Sequence, residues 1–317
     1  MKSIGGYFGL EAGNFYHFHE GAIKLNTARN ALEYILMIRG YDKVYLPYFI
    51  CDVIFEPLKR TETEIELYHI DKNFEPLFDF SKVGKNQALL YVNYFGLKND
   101  LIKELVCRCE NLIIDNSQSF YSKPIAHVDT FYSPRKFFGV PDGAYLYIDE
   151  TLKVELKQDV SCDRSEHLLK RIDTGAESGY TSFAKNESRL KNQPIKLMSN
   201  LTSHILMSIN YESIAEIRRN NFLRIHERLS EGNFFTFELS AESVPMIYPF
   251  WTNRVDLRSS LRSRKVYTPI YWTNVLDICN EKDLEYQFVN NVVYLPIDQR
   301  YSFADIDYLV RLILQEQ

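Results

Sequence analysis

Three short strings in the chain hold residue types suited to chemistry. The first is LIIDNSQSF, where three apolar residues run directly into Asp115. Asp and Asn favour turns, so an acid there suits a solvated turn after a strand. At the carboxyl edge of a sheet the same acid is a fixed charge facing a ligand. The second string is TFYSPRKFFGVPDGAYLYID, where Lys136 is bracketed by Phe131, Tyr132, Phe137 and Phe138. Apolar surroundings disfavour an ammonium and lower a lysine pKa, which favours imine chemistry. The plainer alternative is a surface lysine beside an aromatic cluster. Its flanks favour chemistry: Ser133 makes an S-x-x-K arrangement, and Gly139, Pro141, Asp142 and Gly143 form a tight loop before the next strand. The third string is LNTARNAL, Leu25–Leu32. Asn26 and Thr27 are good N-caps for the helix that follows. Such a helix start is a natural phosphate site or an ordinary cap without a ligand.

Positioning these residues requires elements that end where the strings begin. Asn30–Arg39 has apolar residues at helical spacing and stops at Gly40. Val44–Pro47 reads as a short strand, Asp52–Arg60 as a helix and Glu64–Ile70 as an alternating strand. Ala88–Phe95 is an almost continuous apolar run, as in a strand buried on both faces. Asp100–Cys109 is helical, Leu112–Asp115 is a second buried strand, and Asp129–Ser133 and Ala144–Ile148 are two more. Strands alternating with helices predict a mostly parallel sheet covered on both sides, with ligands at the carboxyl ends of its strands. From about Ser165 the pattern changes to a polar helical stretch with breaks. A long charged helix follows over Asn210–Ser230, then short strands at Met246–Trp251 and Asn291–Leu295 and a last helix over Phe303–Leu314. The chain divides into residues 1–209, a large α/β unit, and residues 210–317, a small one.

Composition bounds the function. The 317 residues are 45% hydrophobic and 25% charged, with a formal net charge of −5 and Lys and Arg dispersed, which excludes an electrostatic footprint for nucleic acid. Five cysteines at irregular spacing form neither a disulfide framework nor a zinc pattern and read as reduced thiols in a cytoplasmic protein. No signal-peptide run or apolar stretch of membrane-spanning length stands out. His17 and His19 have metal-like spacing only in a strand, and no third ligand is evident. Arg218 and Arg219 suit a solvated charged face better than an approach to a ligand, and Tyr271 and Trp272 suit the small-domain core better than the lining of a substrate pocket.

The order and spacing of the three strings resemble the DegT/DnrJ/EryC1/StrS sugar aminotransferases, a family of fold-type-I pyridoxal phosphate enzymes. The resemblance is most specific over residues 20–150 and continues through the long helix, PIYW at Pro269–Trp272 and VVYLPID at Val292–Asp298. It implies a mostly parallel sheet sandwiched by helices, plus a smaller C-terminal α+β domain. It further implies that Lys136 carries pyridoxal 5'-phosphate as a Schiff base and shuttles the proton during transfer. Asp115 matches the acid that pairs with the pyridinium nitrogen. Gln118 matches the polar side chain at the cofactor's 3-oxygen. Thr27 and Ala28 match the phosphate turn, and Ser133 is the hydroxyl that supplements it, with Thr130 as the rival. An aromatic residue should stack on the ring; Phe49 is the choice, with Tyr48 next. The implied reaction moves an amino group from an amino acid, glutamate by resemblance, to a keto sugar linked to a nucleotide. A homodimer with a shared site is implied too. The chain departs from the family in its shorter length, in Asn26 at the phosphate turn, and in the segment near Met198–His204. There the family's asparagine-tyrosine-arginine run, part of the substrate side, is not recognisable. That departure motivates a rival reading, a non-catalytic relative that keeps the fold. A different sugar-modifying reaction is a third, although dehydrating relatives usually replace the lysine with histidine.

Overall fold

A computed structural model describes residues 6–11, 13 and 16–314. Eight strands form the main sheet: β1 (Ile23–Leu25), β2 (Lys43–Pro47), β3 (Glu64–Ile70), β4 (Pro76–Leu77), β5 (Gln87–Val92), β6 (Leu112–Asn116), β7 (Asp129–Tyr132) and β8 (Ala144–Tyr147). Their order is β1-β8-β7-β6-β5-β2-β3-β4. The run from β7 through β6, β5 and β2 to β3 is parallel, and the outer pairs β1/β8, β8/β7 and β3/β4 are antiparallel. From β2 the chain steps outward to β3, then returns to the other side of β2 to lay down β5. The strand order therefore reverses between β2 and β5, where such sheets leave a crevice outside their carboxyl ends.

The helices are α1 (Ala28–Arg39), α2 (Phe55–Arg60), α3 (Asn99–Arg108), α4 (Glu166–Asp173), α5 (Ala176–Arg189), α6 (Asn200–Leu206), α7 (Tyr211–Leu229), α8 (Leu257–Ser263), α9 (Leu284–Asn291) and α10 (Phe303–Leu314). Among the described residues none is long and apolar enough to cross a membrane. α1 starts where Thr27 Oγ1 accepts the Asn30 N–H at 3.2 Å. It ends at Gly40, whose φ of 62° closes the last turn through a 2.9 Å bond to the Leu36 carbonyl. The apolar runs in β5 and β6 bury Leu89, Leu90 and Ile113 completely, as expected for strands covered on both faces.

The sequence pattern extends β5 to Phe95, but the strand ends at Val92. Tyr94–Gly96 is a 3₁₀ turn with Phe95 at φ 57°. That left-handed geometry is held from both sides: Phe95 N–H donates to Gln118 Oε1 at 3.2 Å, and its carbonyl accepts from Met246 N–H at 2.8 Å. The expected helix over Asp52–Arg60 divides into a 3₁₀ turn, Asp52–Ile54, and α2, and the polar stretch after Ser165 becomes α4 and α5. Beyond them, β9 (Tyr248–Trp251) and β10 (Val292–Leu295) pair antiparallel as a separate small sheet. α7 packs against α10, where Arg224 grips Asp307 through two 2.6 Å bonds.

The loop that follows Lys136 is pinned tightly. Asp142, fully buried, accepts from the backbone and hydroxyl of Ser199 at 2.9 and 2.7 Å and from the Thr202 hydroxyl. Gly143 N–H donates to the Asn26 carbonyl at 2.6 Å, binding this loop to the turn before α1. Gly143 has φ 118°, and a Cβ there would lie 3.1 Å from both Pro134 Cγ and Thr202 Cγ2. Gly143→Ala is expected to cost about 1–3 kcal/mol through backbone strain and these contacts. Urea unfolding of the variant checks it; an unchanged midpoint contradicts this account of the loop.

Candidate cofactor site

The carboxyl ends of β2, β5, β6 and β7 open onto one cleft, joined there by the first turn of α1. Its lining includes Thr27, Ala28, Cys51, Asp115, Gln118, Ser133, Lys136 and Trp272. Three separate strings of sequence thus meet at one edge of the sheet.

Asp115 is the fourth residue of β6, paired in register with Val92 of β5 and Phe131 of β7. It is buried, and Oδ1 accepts the Ser117 N–H at 2.7 Å. Burial pushes its carboxyl up to about 6, against the opposing pull of the Ser117 hydrogen bonds and the Lys136 ammonium. Lys136 ends the 3₁₀ turn Pro134–Lys136 that follows β7. The residue is solvent-accessible and lines the cleft, where the surrounding protein desolvates its amine. That desolvation lowers its pKa, aided by Arg135 and Arg29 and opposed by Cys51 and Asp115. An acid whose pKa is raised and an amine whose pKa is lowered therefore share one cavity, each favouring the charged form of the other.

Gln118 is buried with its carboxamide oxygen fixed by the Phe95 N–H, so its orientation is set by the turn after β5. Ser133 is buried and lines the cleft, whereas Thr130 turns its hydroxyl to the Val128 carbonyl at 3.0 Å and lies outside the lining. Thr27 spends its hydroxyl on Asn30, accepting its N–H and donating to its Oδ1 at 2.6 Å. The first amides of α1, at Ala28 and Arg29, precede this capped N–H and are those a helix leaves for an external acceptor.

Phe49 is placed differently from the expectation. It is fully buried, edge-on to Trp272 at 4.5 Å and packed against Tyr94 and Phe288, and it does not line the cleft. Tyr48 stacks on His69 at 4.4 Å instead. The two residues after Phe49, Ile50 and Cys51, line the cleft. Trp272, read as core, is the aromatic among the described residues that lines the cleft, while Tyr271 packs on Tyr294 at 4.7 Å. Arg218 departs most from its reading as a solvated residue. It is buried, stacked over the Phe137 ring at 4.6 Å, and donates to the carbonyls of Met246 at 3.0 Å and Phe137 at 3.3 Å. Burial lowers its pKa to about 10. His17 bonds Tyr145 and Ser203, and His19 bonds Tyr147 and the Phe120 carbonyl, so their ring nitrogens serve packing. Arg29, Arg135 and Glu187, also in the lining, were not singled out from sequence. Arg135 could have been, because it directly precedes Lys136; Glu187 lies in a polar helix with no distinguishing pattern.

No protein-family model matches the chain, and no curated protein matches it in sequence. Solved structures do match. A DegT DnrJ EryC1 StrS aminotransferase from Brucella abortus superposes with a TM-score of 0.63 over 93% of this chain and 85% of that one, at 16% identity. The sugar aminotransferase CalS13 from Micromonospora echinospora gives 0.64 over 93% and 87%, at 12% identity. DesV from S. venezuelae, in complex with a ketimine intermediate, gives 0.62 over 93% and 84%, at 17% identity. At these identities the likeness is one of fold. The chain has the fold of the pyridoxal-phosphate-dependent aminotransferases, as the three strings implied.

A raised carboxyl pKa has a sign that stability can report. The folded chain binds the Asp115 proton more tightly than the unfolded one, so this group's contribution falls as pH rises from its ordinary 3.8 to about 6. In the cofactor-free chain, Asp115→Asn should therefore match the wild type at about pH 4 and exceed it at about pH 7. The gap should be on the order of 1–3 kcal/mol. Urea midpoints at the two pH values measure it; a gap independent of pH contradicts the assignment.

Proposed function

We propose that this protein is an aminotransferase that uses pyridoxal phosphate to move an amino group from an amino acid, glutamate in the first instance, to a keto sugar linked to a nucleotide. The observation that carries this reading is the convergence of Asp115 and Lys136 in one cleft at the carboxyl edge of the sheet. The residues present fit the cofactor. A buried carboxyl with no ion-pair partner among the described residues suits a protonated ring nitrogen, and an amine with a lowered pKa suits covalent attachment to an aldehyde. Thr27, Ala28 and Ser133 would hold the phosphate, and Gln118 the 3-oxygen. Trp272 takes the place of Phe49 as the aromatic wall.

When bound, pyridoxal phosphate supplies an electron sink for the carbanion formed at the donor carbon. The chain's own residues do the rest. The Asp115 carboxylate would keep a proton on the ring nitrogen. The Lys136 amine would be the base that moves a proton at the donor carbon. Ile50, Val53 and Ile54 supply apolar wall to the cleft that holds the amine.

Several finer points belong to the same reading. The functional unit is a homodimer with a shared site, working in the cytoplasm on glycoconjugate or polysaccharide precursors. Residues 210–317 act as a smaller domain against 1–209, joined through Arg218 and Phe137. Among the described residues all five cysteines are free, in keeping with a reducing compartment.

The test is spectroscopic. Protein loaded with pyridoxal phosphate should show a visible absorption band that glutamate or another amino-acid donor bleaches, and Lys136→Ala should lack the bleaching at any donor concentration. A band that persists against a panel of donors would favour the non-catalytic relative.

A further inference from the structure

Two guanidinium groups in the cleft have no part in the roles above. Arg29 is the second residue of α1 and only 7% exposed; Nη1 donates to Glu56 Oε2 on the neighbouring α2 at 2.9 Å. Arg135 directly precedes Lys136, with its side chain 16% exposed, and forms an ion pair with Glu187 of α5. Its Nε is buried and has no hydrogen-bond acceptor among the described residues. Both line the same cleft as Thr27, Ala28 and Ser133. The two cations repel: burial first, then Arg29, lowers the Arg135 pKa to about 10, and both arginines push the Lys136 amine the same way. Glu56 accepts from one edge of the Arg29 fork and Glu187 lies beside Arg135 as its counter-charge, which leaves guanidinium donors unspent. Protein cavities do not gather like charges and a buried idle donor without a compensating ligand.

We propose that Arg29 and Arg135, together with the first amides of α1, form a dianion site in this cleft that takes a phosphate monoester. A guanidinium presents parallel donors that match two oxygens of a phosphate. α1, with 12 residues, adds the positive end of its dipole to the same place. The site extends the phosphate grip proposed for Thr27, Ala28 and Ser133 with two guanidinium groups from within one chain, each already balanced by a carboxylate. The inference rests on the cofactor reading only for what carries the phosphate. The cofactor's own phosphate and that of a phosphorylated substrate share this chemistry.

The experiment compares wild type, Arg29→Gln and Arg135→Gln, each titrated with pyridoxal phosphate and with pyridoxal, which keeps the ring and aldehyde but lacks the phosphate. Each substitution should weaken pyridoxal phosphate about ten-fold or more and leave pyridoxal within about two-fold. Inorganic phosphate should compete with pyridoxal phosphate in wild type and lose that competition in the variants. Inorganic phosphate that instead binds the loaded wild type, and not the loaded variants, assigns the same site to a substrate phosphate. Equal weakening of both ligands, or of neither, with no change in phosphate binding, overturns the proposal. If wild type takes up neither pyridoxal compound, the cofactor reading fails separately. Inorganic phosphate then decides the arginine site alone: a raised melting temperature in wild type but not in the variants supports it, and equal shifts overturn it. Should the Gln variants not fold, Arg135→Lys keeps the charge without the planar fork and should show a smaller loss with the same selectivity.

Discussion

Everything in this molecule that bears on chemistry depends on holding a carboxyl and an amine in a cavity where neither is comfortably charged alone. Asp115 sits at the end of a strand buried on both faces, so its position is set by the sheet ladder rather than by a loop. Lys136 follows the next strand directly, and the parallel register of β6 and β7 brings both to one edge. Their mutual attraction opposes the burial of each, beside the Ser117 hydrogen bonds at Asp115 and the Cys51 thiol near Lys136, and a pair held this way suits a ligand with a cationic nitrogen at one end and an aldehyde at the other.

The rest of the fold restrains the segments that carry these groups. The loop beyond Lys136 is tied to the turn before α1 by the bond from Gly143 to Asn26, and to the start of α6 through Asp142. On the other side, the Phe137 carbonyl accepts from Arg218 and from Gln299 at 2.8 Å. Arg218 also reaches the Met246 carbonyl, whose N–H holds Phe95, whose N–H in turn holds Gln118. A continuous set of bonds therefore runs from the long helix α7 to two sides of the cleft. A buried arginine that satisfies carbonyls from separate segments fixes their relative positions more firmly than apolar packing would.

Much of this was legible in the sequence, for physical reasons. Apolar runs mark buried strands, so β5 and β6 were legible, although the run over β5 continues past its end at Val92, and for Asp115 the pattern alone left a solvated turn and a ligand-facing acid both open. Thr27 and Gly40 marked the ends of α1 because caps are local chemistry. What failed was long-range or irregular. Phe49 and Cys51 lie on a segment without regular periodicity, so which side chain faces the cleft could not be counted out from β2. Arg218 looks solvated in any helical-wheel reading because its acceptors are carbonyls supplied by Phe137 and Met246, far away in the chain. The short elements β1, β4, α6, α8 and α9 escaped notice because each is defined by its partners rather than by its own composition.

The central claim is that one particular amine carries the cofactor. Loading the purified chain with pyridoxal phosphate, reducing with borohydride and mapping the peptides by mass would test it in a single step. The account predicts the reduced adduct on the peptide containing Lys136, with none recovered after Lys136→Ala. An adduct on a different lysine, or no adduct on a correctly folded wild-type chain, would contradict it.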